Sequence, residues 1–322
     1  MRQYVPYPLG MPLSDPVTWP PSRLRVGVDD ELGGPPVEFV LAETLDGLYT
    51  PYALRVPEGS GPYPFVFIAY GNGGGGMAWL RDRSRRYRYV TDRLLEAGYA
   101  CAWTRYRTEV ELGYQDGGEL KVDFRQGMPL TSRAPLEYED EVAILRDVSA
   151  DPRIDADRLL HLGVSHAGEM LLKLCSQYPG LLRAAVAAEP ASHEVLTLGL
   201  ESEPTVEVVD GLRDIESLEV RGPEHARRRI TDPDAVARTF DAVDIPTLVI
   251  GRAQDELQGV FRLTYDLLAE RRDDAEWRTW SHQAHGFIFP ETDDDGRPMA
   301  DDVQREALDA IVDFFDRNSR PR

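Results

Sequence analysis

The stretch Leu159-Leu160-His161-Leu162-Gly163-Val164-Ser165-His166-Ala167-Gly168-Glu169-Met170-Leu171-Leu172 constrains the fold more than any other. An apolar run, a tight turn with Ser165 at its apex and a helical apolar pattern follow one another without a spacer. A strand that turns this sharply into a helix brings its two flanking backbones together, so only small residues fit beside the apex. Gly163, Ala167 and Gly168 occupy those places. The same turn lifts the serine hydroxyl clear of the sheet and sets the N–H of His166 at a helix N-terminus, where it can face an oxyanion. A serine in a glycine turn is common, however, and the motif alone does not specify chemistry.

The rest of the chain supplies a matching frame. Phe65–Tyr70, Tyr99–Thr104, Arg183–Ala188, Pro246–Gly251 and Trp277–Trp280 read as short strands, several of them continuous apolar runs of the kind buried on both faces of a parallel sheet. Helical patterns lie between them, over Tyr87–Ala97, Glu139–Ser149, Met170–Tyr178 and Val260–Glu270, and a last one spans Val303–Phe315 with Asp301 or Asp302 as its N-cap. Alternation of this sort predicts an α/β fold with a mainly parallel central sheet and helices on both faces. Val37–Leu41 and Tyr49–Val56, joined through Asp46-Gly47, read as a hairpin ahead of it. Residues 1–35, rich in proline, read as an extended N-terminal arm, 105–137 as a long irregular connection, and 189–243 as an insertion or cap over the sheet within one domain of residues 36–322.

In such sheets ligands bind beyond the C-terminal ends of the strands. Ser165 falls at one strand end. The run Gly71-Asn72-Gly73-Gly74-Gly75-Gly76 falls at another, Asp255 follows Gly251, and His282 and His285 follow Trp280. A nucleophile, an acid and a base therefore occur in the order Ser, Asp, His. Asp255 competes with Glu256 and His285 with His282, and the context His285-Gly286-Phe287 favours His285. His161 reads as core, whereas His193 and His225 read as solvated. Arg105 and Arg107 end a strand and suit either a substrate carboxylate or a structural ion pair.

On Gly163-Val164-Ser165-His166-Ala167-Gly168, Gly251-x-x-x-Asp255 and His285-Gly286-Phe287, the chain resembles the α/β-hydrolase superfamily over about residues 45–317. Within it the resemblance is to prolyl-oligopeptidase-like and dienelactone-hydrolase-like serine hydrolases. The segment Asp151-Pro152-Arg153-Ile154-Asp155 before the elbow strand adds to it. The resemblance implies a catalytic triad of Ser165, Asp255 and His285. It also implies an oxyanion hole made by the backbone N–H of His166 with that of Asn72 or Gly73. Ala167 stands where relatives usually have glycine, and Gly-Asn-Gly-Gly where they often have His-Gly-Gly-Gly. The implied reaction is hydrolysis of a small-molecule carboxylic ester through an acyl-enzyme, with no metal or organic cofactor. A peptidase or amidase of the prolyl-oligopeptidase type and an acyltransferase use the same triad. The expectation of a small ester rests partly on the lack of a β-propeller in this sequence.

Charge narrows the partners. With 36 basic and 56 acidic residues the formal net charge is −20, a field that repels nucleic acid and anionic membrane surfaces. No apolar run approaches a membrane span and the first residues lack a signal-peptide core, so a soluble, cytoplasmic protein is expected. Cys101 and Cys175 each sit in an apolar segment and are expected as buried free thiols. Between Glu194 and Glu219 stand eight acids (Glu194, Glu201, Glu203, Glu207, Asp210, Asp214, Glu216 and Glu219) against one base, Arg213. Acids so placed either form a solvated face or bias a nearby site against anionic substrates.

Overall fold

A computed structural model of the chain describes residues 23–45, 47–71, 76–106, 134–199, 208–209, 212–213 and 220–319. Nine strands form one sheet: β1 (Arg23–Asp29), β2 (Val37–Glu43), β3 (Tyr49–Arg55), β4 (Tyr63–Tyr70), β5 (Ala100–Thr104), β6 (Ile154–Val164), β7 (Ala184–Ala188), β10 (Thr247–Arg252) and β11 (Ala275–Trp280). Their spatial order is β1-β2-β3-β5-β4-β6-β7-β10-β11. From β5 to β11 every pairing is parallel, while β1, β2 and β3 run antiparallel to their neighbours at one edge. A two-stranded ribbon, β8 (Val208–Val209) with β9 (Leu212–Arg213), lies outside this sheet.

The helices are α1 (Gly76–Arg86), α2 (Arg88–Glu96), α3 (Ala134–Ser149), α4 (His166–Gln177), α5 (Pro223–Arg228), α6 (Pro233–Ala242), α7 (Gln258–Ala269) and α8 (Asp302–Asn318). Side chains alternate across a strand, and the sheet therefore builds two cores. Phe65, Phe67 and Leu159 face the layer of α3, α4 and α7; Val66, Ile68, Leu160, Leu162 and Val164 face that of α1, α2 and α8. Cys175 and Cys101 are both buried and free, one in each layer, which keeps them apart. Helix α8 begins with a capping box: Asp301 accepts from the Gln304 N–H, and the Gln304 amide returns to the Asp301 backbone.

Several elements differ from the sequence reading in instructive ways. The parallel sheet and its helices are as expected, but residues 23–29 of the proline-rich arm form the edge strand β1. The alternation Leu24-Arg25-Val26-Gly27-Val28 is its period-two signal, muted by flanking prolines and by the 44–49% exposure of its apolar residues. Helix α1 also went unread, since arginines crowd it and only Leu80 is a fully buried apolar residue. Within the span 189–243, Val220, Ala226, Val236 and Phe240 are buried in the α4 and α7 layer, so the described part from 220 onward belongs to the fold's own core. Residues 1–22, Arg107 and the rest of 107–133, and seven of the eight acids between 194 and 219 lie outside the described residues.

Candidate active site

Ser165 sits between β6 and α4 with φ 60° and ψ −123°, a conformation that L residues seldom adopt and that persists only where the surroundings enforce it. Enforcement is visible on both sides. The Ser165 N–H donates to the Ala188 carbonyl at 2.9 Å, and the Ser165 carbonyl accepts from Gly168 at 2.9 Å and Ala191 at 3.1 Å. A Cβ on Gly163 would lie 2.5 Å from the Ala167 carbonyl oxygen, and one on Gly168 would meet Pro190 at 2.9 Å. The small residues around the serine are therefore required by backbone approach. His166 opens α4, so its N–H lies at the N-terminal end of that helix. A Cβ on Gly71 would stand 3.2 Å from Ser165 Oγ and 3.7 Å from His166 N, which brings the start of the glycine run against the serine hydroxyl. Asn72 and Gly73 themselves lie outside the described residues.

Arg105 helps to fix that approach. It is buried, donates to the Gly71 carbonyl at 2.5 Å and lies over the Trp79 ring at 4.9 Å. Both of these contacts are internal to the fold.

Asp255 and His285, from the loops after β10 and β11, meet at 2.9 Å between Oδ2 and Nδ1. Asp255 is buried at 4% exposure, whereas Glu256 is exposed and turned to solvent. His282 accepts the Ala284 N–H at 3.0 Å, stacks on Phe287 and points toward Asp301 at 3.4 Å, away from Asp255. Burial works against charge on Asp255, but hydrogen bonds from His285, the Leu257 N–H and Arg252 outweigh it and hold the carboxyl below its ordinary range. Arg252 donates to the same Oδ2 at 3.1 and 2.7 Å and to the carbonyls of His282 and Gln283, and so ties Asp255 to the loop that carries His285.

Sequence reading missed Glu189. It follows β7, carries a positive φ of 49° and is fully buried. One of its oxygens lies 3.0 Å from His285 Nδ1 and 3.5 Å from Arg252 Nε, and both oxygens accept the Gly286 N–H at 3.1 Å. It stands one residue beyond Ala188, the acceptor of the Ser165 N–H. The serine turn and the histidine loop are thus joined through the end of β7. An acid directly after an apolar strand adjacent to the elbow strand was the available signal. Ligand atoms of Glu189, Asp255 and His285 fall within 4.8 Å of one another, but the Arg252 guanidinium already supplies the positive charge between the two carboxylates. The group is an ion cluster rather than a cation site.

Two more histidines are held by acids beneath the elbow. His166 Nε2 lies 2.6 Å from Glu137, and His161 Nε2 lies 3.0 Å from Glu141, which also accepts from the Tyr106 hydroxyl at 2.7 Å. Glu169, on α4, receives the N–H groups of Glu194 and Val195 at 2.6 and 2.8 Å and so fixes the turn after Pro190. Glu141 and Glu169 carried no sequence signal beyond being acids in helical patterns, and Glu137 fell in the stretch 105–137 read as an irregular connection, whose residues from Ala134 on form the first turn of α3. Among the described residues no helix is long and apolar enough to cross a membrane.

No protein-family model matches the chain, and no curated protein matches it by sequence. Solved structures do. The esterase Est22 superposes with a TM-score of 0.59 at 18% identity, covering 89% of this chain and 83% of that one. A putative dienelactone hydrolase from Klebsiella pneumoniae gives 0.55 at 15% identity, covering 92% and 99%. Dipeptidyl peptidase 4 of Porphyromonas gingivalis gives 0.58 at 16% identity, and there the chain spans 88% of itself but only 36% of the other protein. At such identities the likeness is one of fold, the α/β-hydrolase fold.

Proposed function

We propose that this α/β-hydrolase-fold chain is a serine hydrolase that cleaves a carboxylic ester of a small molecule through an acyl-enzyme on Ser165, with His285 as base and Asp255 as its orienting acid. The observation that carries the reading is the strained Ser165 turn at the same sheet end as the hydrogen-bonded pair of buried Asp255 and half-open His285. Both groups nearest Nδ1 of His285 are carboxylates, so Nδ1 carries hydrogen and Nε2 is left to accept a proton. Ser165 Oγ bonds to the ester carbonyl carbon as its proton passes to Nε2, and the carbonyl π pair becomes an oxyanion. The N–H groups of His166 and of Asn72 or Gly73 stabilise that charge. As the oxyanion collapses, the carbon–alkoxy bond breaks and the Nε2 proton leaves with the alcohol. Water then attacks the acyl carbon as its proton passes to Nε2, and when the second oxyanion collapses the carbon–Oγ bond breaks, the Nε2 proton goes to Ser165 Oγ and the acid leaves.

An ester is preferred to a peptide because the esterase Est22 is covered over 83% of its length and the dipeptidyl peptidase over only 36%. Covalent labelling tests the nucleophile: a fluorophosphonate should form a one-to-one adduct on Ser165 and none on Ser165→Ala. A label mapped elsewhere on folded protein overturns the assignment. Esters and aminoacyl amides of graded chain length, assayed with and without an added alcohol acceptor, separate esterase, amidase and acyltransferase.

A further inference from the structure

We propose that Glu189 is a positioning residue of this site: a second carboxylate on Nδ1–H of His285 that holds the ring together with Asp255 and stabilises its protonated form. The proposal rests on the reading of His285 as the catalytic base. In a site with one orienting acid, exchanging that acid for its amide leaves the histidine in the wrong tautomer and costs about ten thousandfold in turnover. Here a second acceptor remains. Glu189 lies 3.0 Å from Nδ1, against 2.9 Å for Asp255, and it is anchored separately by the Gly286 N–H, on a different strand end and outside the Asp255 loop.

The charges facing His285 make the consequence for pH specific. Glu189 and Asp255 are both buried, and Arg252 touches both, at 3.5 and 2.7 Å. Two negative charges and one positive leave a net negative charge beside the ring, and an imidazolium neutralises it. Among the described residues, the other polar neighbours do not change that balance. Tyr70 packs on Gly286, and burial followed by the Glu189 charge pushes its hydroxyl further toward the neutral form. His282 faces Asp301, and Phe261 presents only its ring to His285. Burial lowers the affinity of His285 for a proton, but the hydrogen bonds and charges of Asp255 and Glu189 outweigh this and raise its pKa to about 10.

Removing one of two acids then has opposite effects at the two ends of the pH scale. A weaker base is more often unprotonated at low pH, yet it stabilises the transition-state imidazolium less at high pH. Glu189→Gln should therefore react faster than wild type at low pH and slower at high pH, with the limb shifted down by about one to two pH units. A merely structural role would displace the whole profile without a crossing.

The test uses the full chain and a fluorophosphonate probe, with pseudo-first-order labelling of Ser165 followed from pH 6 to about 10.5, a span chosen around the histidine range. Wild type, Glu189→Gln, Glu189→Asp, Asp255→Asn and the double variant Glu189→Gln/Asp255→Asn are compared, each checked by thermal unfolding. Three results are expected: crossing profiles for Glu189→Gln, a wild-type-like profile for Glu189→Asp, and no more than about a hundredfold loss for Asp255→Asn against about ten thousandfold for the double variant. Parallel profiles for wild type and Glu189→Gln, or Asp255→Asn already as slow as the double variant, overturn the proposal. A nitrogen-detected NMR titration of the His285 ring reads the same shift without any catalysis. If wild type is not labelled at all, the serine-hydrolase reading fails, and the NMR titration alone decides whether Glu189 holds the proton on His285.

Discussion

Two clusters in this molecule are built from the same parts, histidine against buried glutamate, and they do different things. Under the elbow, His161 and His166 are almost wholly enclosed and pair with Glu141 and Glu137 from α3. Their acids tie one helix to the elbow strand and to the first residue of α4. At the ends of β7, β10 and β11, His285 keeps 36% of its side chain exposed, while its two acids are buried and share one arginine. The enclosed pairs have no open face from which a substrate could be approached, so their hydrogen bonds hold helix to sheet. The half-open histidine has its Nδ1 face held and its other face available. Exposure separates the two clusters: His161 and His166 are enclosed, and His285 is not.

The comparison is sharpest where rate and stability part company. His285→Ala should lower the rate of Ser165 labelling by about a thousandfold or more, whereas His282→Ala should have a far smaller effect. If His282 is the more sensitive of the two, the base belongs elsewhere in that loop. Glu141→Gln should show the reverse split. It removes the charge that His161 and the Tyr106 hydroxyl share, and should cost about 1–3 kcal/mol in denaturant unfolding while the labelling rate per folded molecule stays within about threefold. A large rate loss at unchanged stability would merge the two clusters into one functional unit.

Smaller effects follow around Ser165 itself. Gly71→Ala would place a methyl 3.1 Å from Ser165 Cβ, closer than it can sit without the neighbour giving way. A loss of about tenfold in labelling rate, with little change in unfolding temperature, is expected; about 1.4 kcal/mol corresponds to such a factor. Asn72→Ala should lose less, because its proposed donor is backbone. A hundredfold loss there would make its side-chain amide a donor instead.

Stability should also carry the signature of the half-open cluster. His285 has its proton affinity raised on folding, so its contribution is fully present below about 6.5 and is lost as pH rises toward about 10. Asp255 has its own depressed, so its contribution is present above the ordinary carboxylate value of 3.8 and is lost as pH falls through its lower folded value. Unfolding followed across pH should show the alkaline decline in wild type and a flatter curve in Glu189→Gln. Glu256→Gln, on an exposed side chain, should leave both rate and stability unchanged within error.

Much of the fold was legible because periodicity and strand-end position are local properties of sequence. The run Phe65–Tyr70, the glycines around Ser165 and the Asp301 cap each announce their role through neighbours a few residues away. Strand β1 and helix α1 were obscured for the opposite reason: an edge strand with exposed valines and an arginine-rich helix lack a clean apolar face. At the site, Ser165 and Asp255 stood out because each follows an apolar strand, and His285 because it follows the last strand in the context His285-Gly286-Phe287. Glu189 met the same criterion and was passed over, since its proline neighbour reads as the start of an excursion.

The sequence by itself determined the alternating strand–helix order, the small residues that a tight serine turn demands, and the order Ser, Asp, His along the chain. These are fixed by spacing, and spacing is preserved from sequence to structure. Tertiary structure alone decided which acids touch which histidines. Glu189 lies 97 residues before the Gly286 N–H that it accepts, Glu137 lies 29 residues before His166, and Arg252 is placed between two carboxylates by the meeting of β7 and β10. Such pairings arise when strands distant in sequence become neighbours in a sheet. No local pattern encodes them, because the stabilisation comes from burying charges together rather than from any one residue's preference.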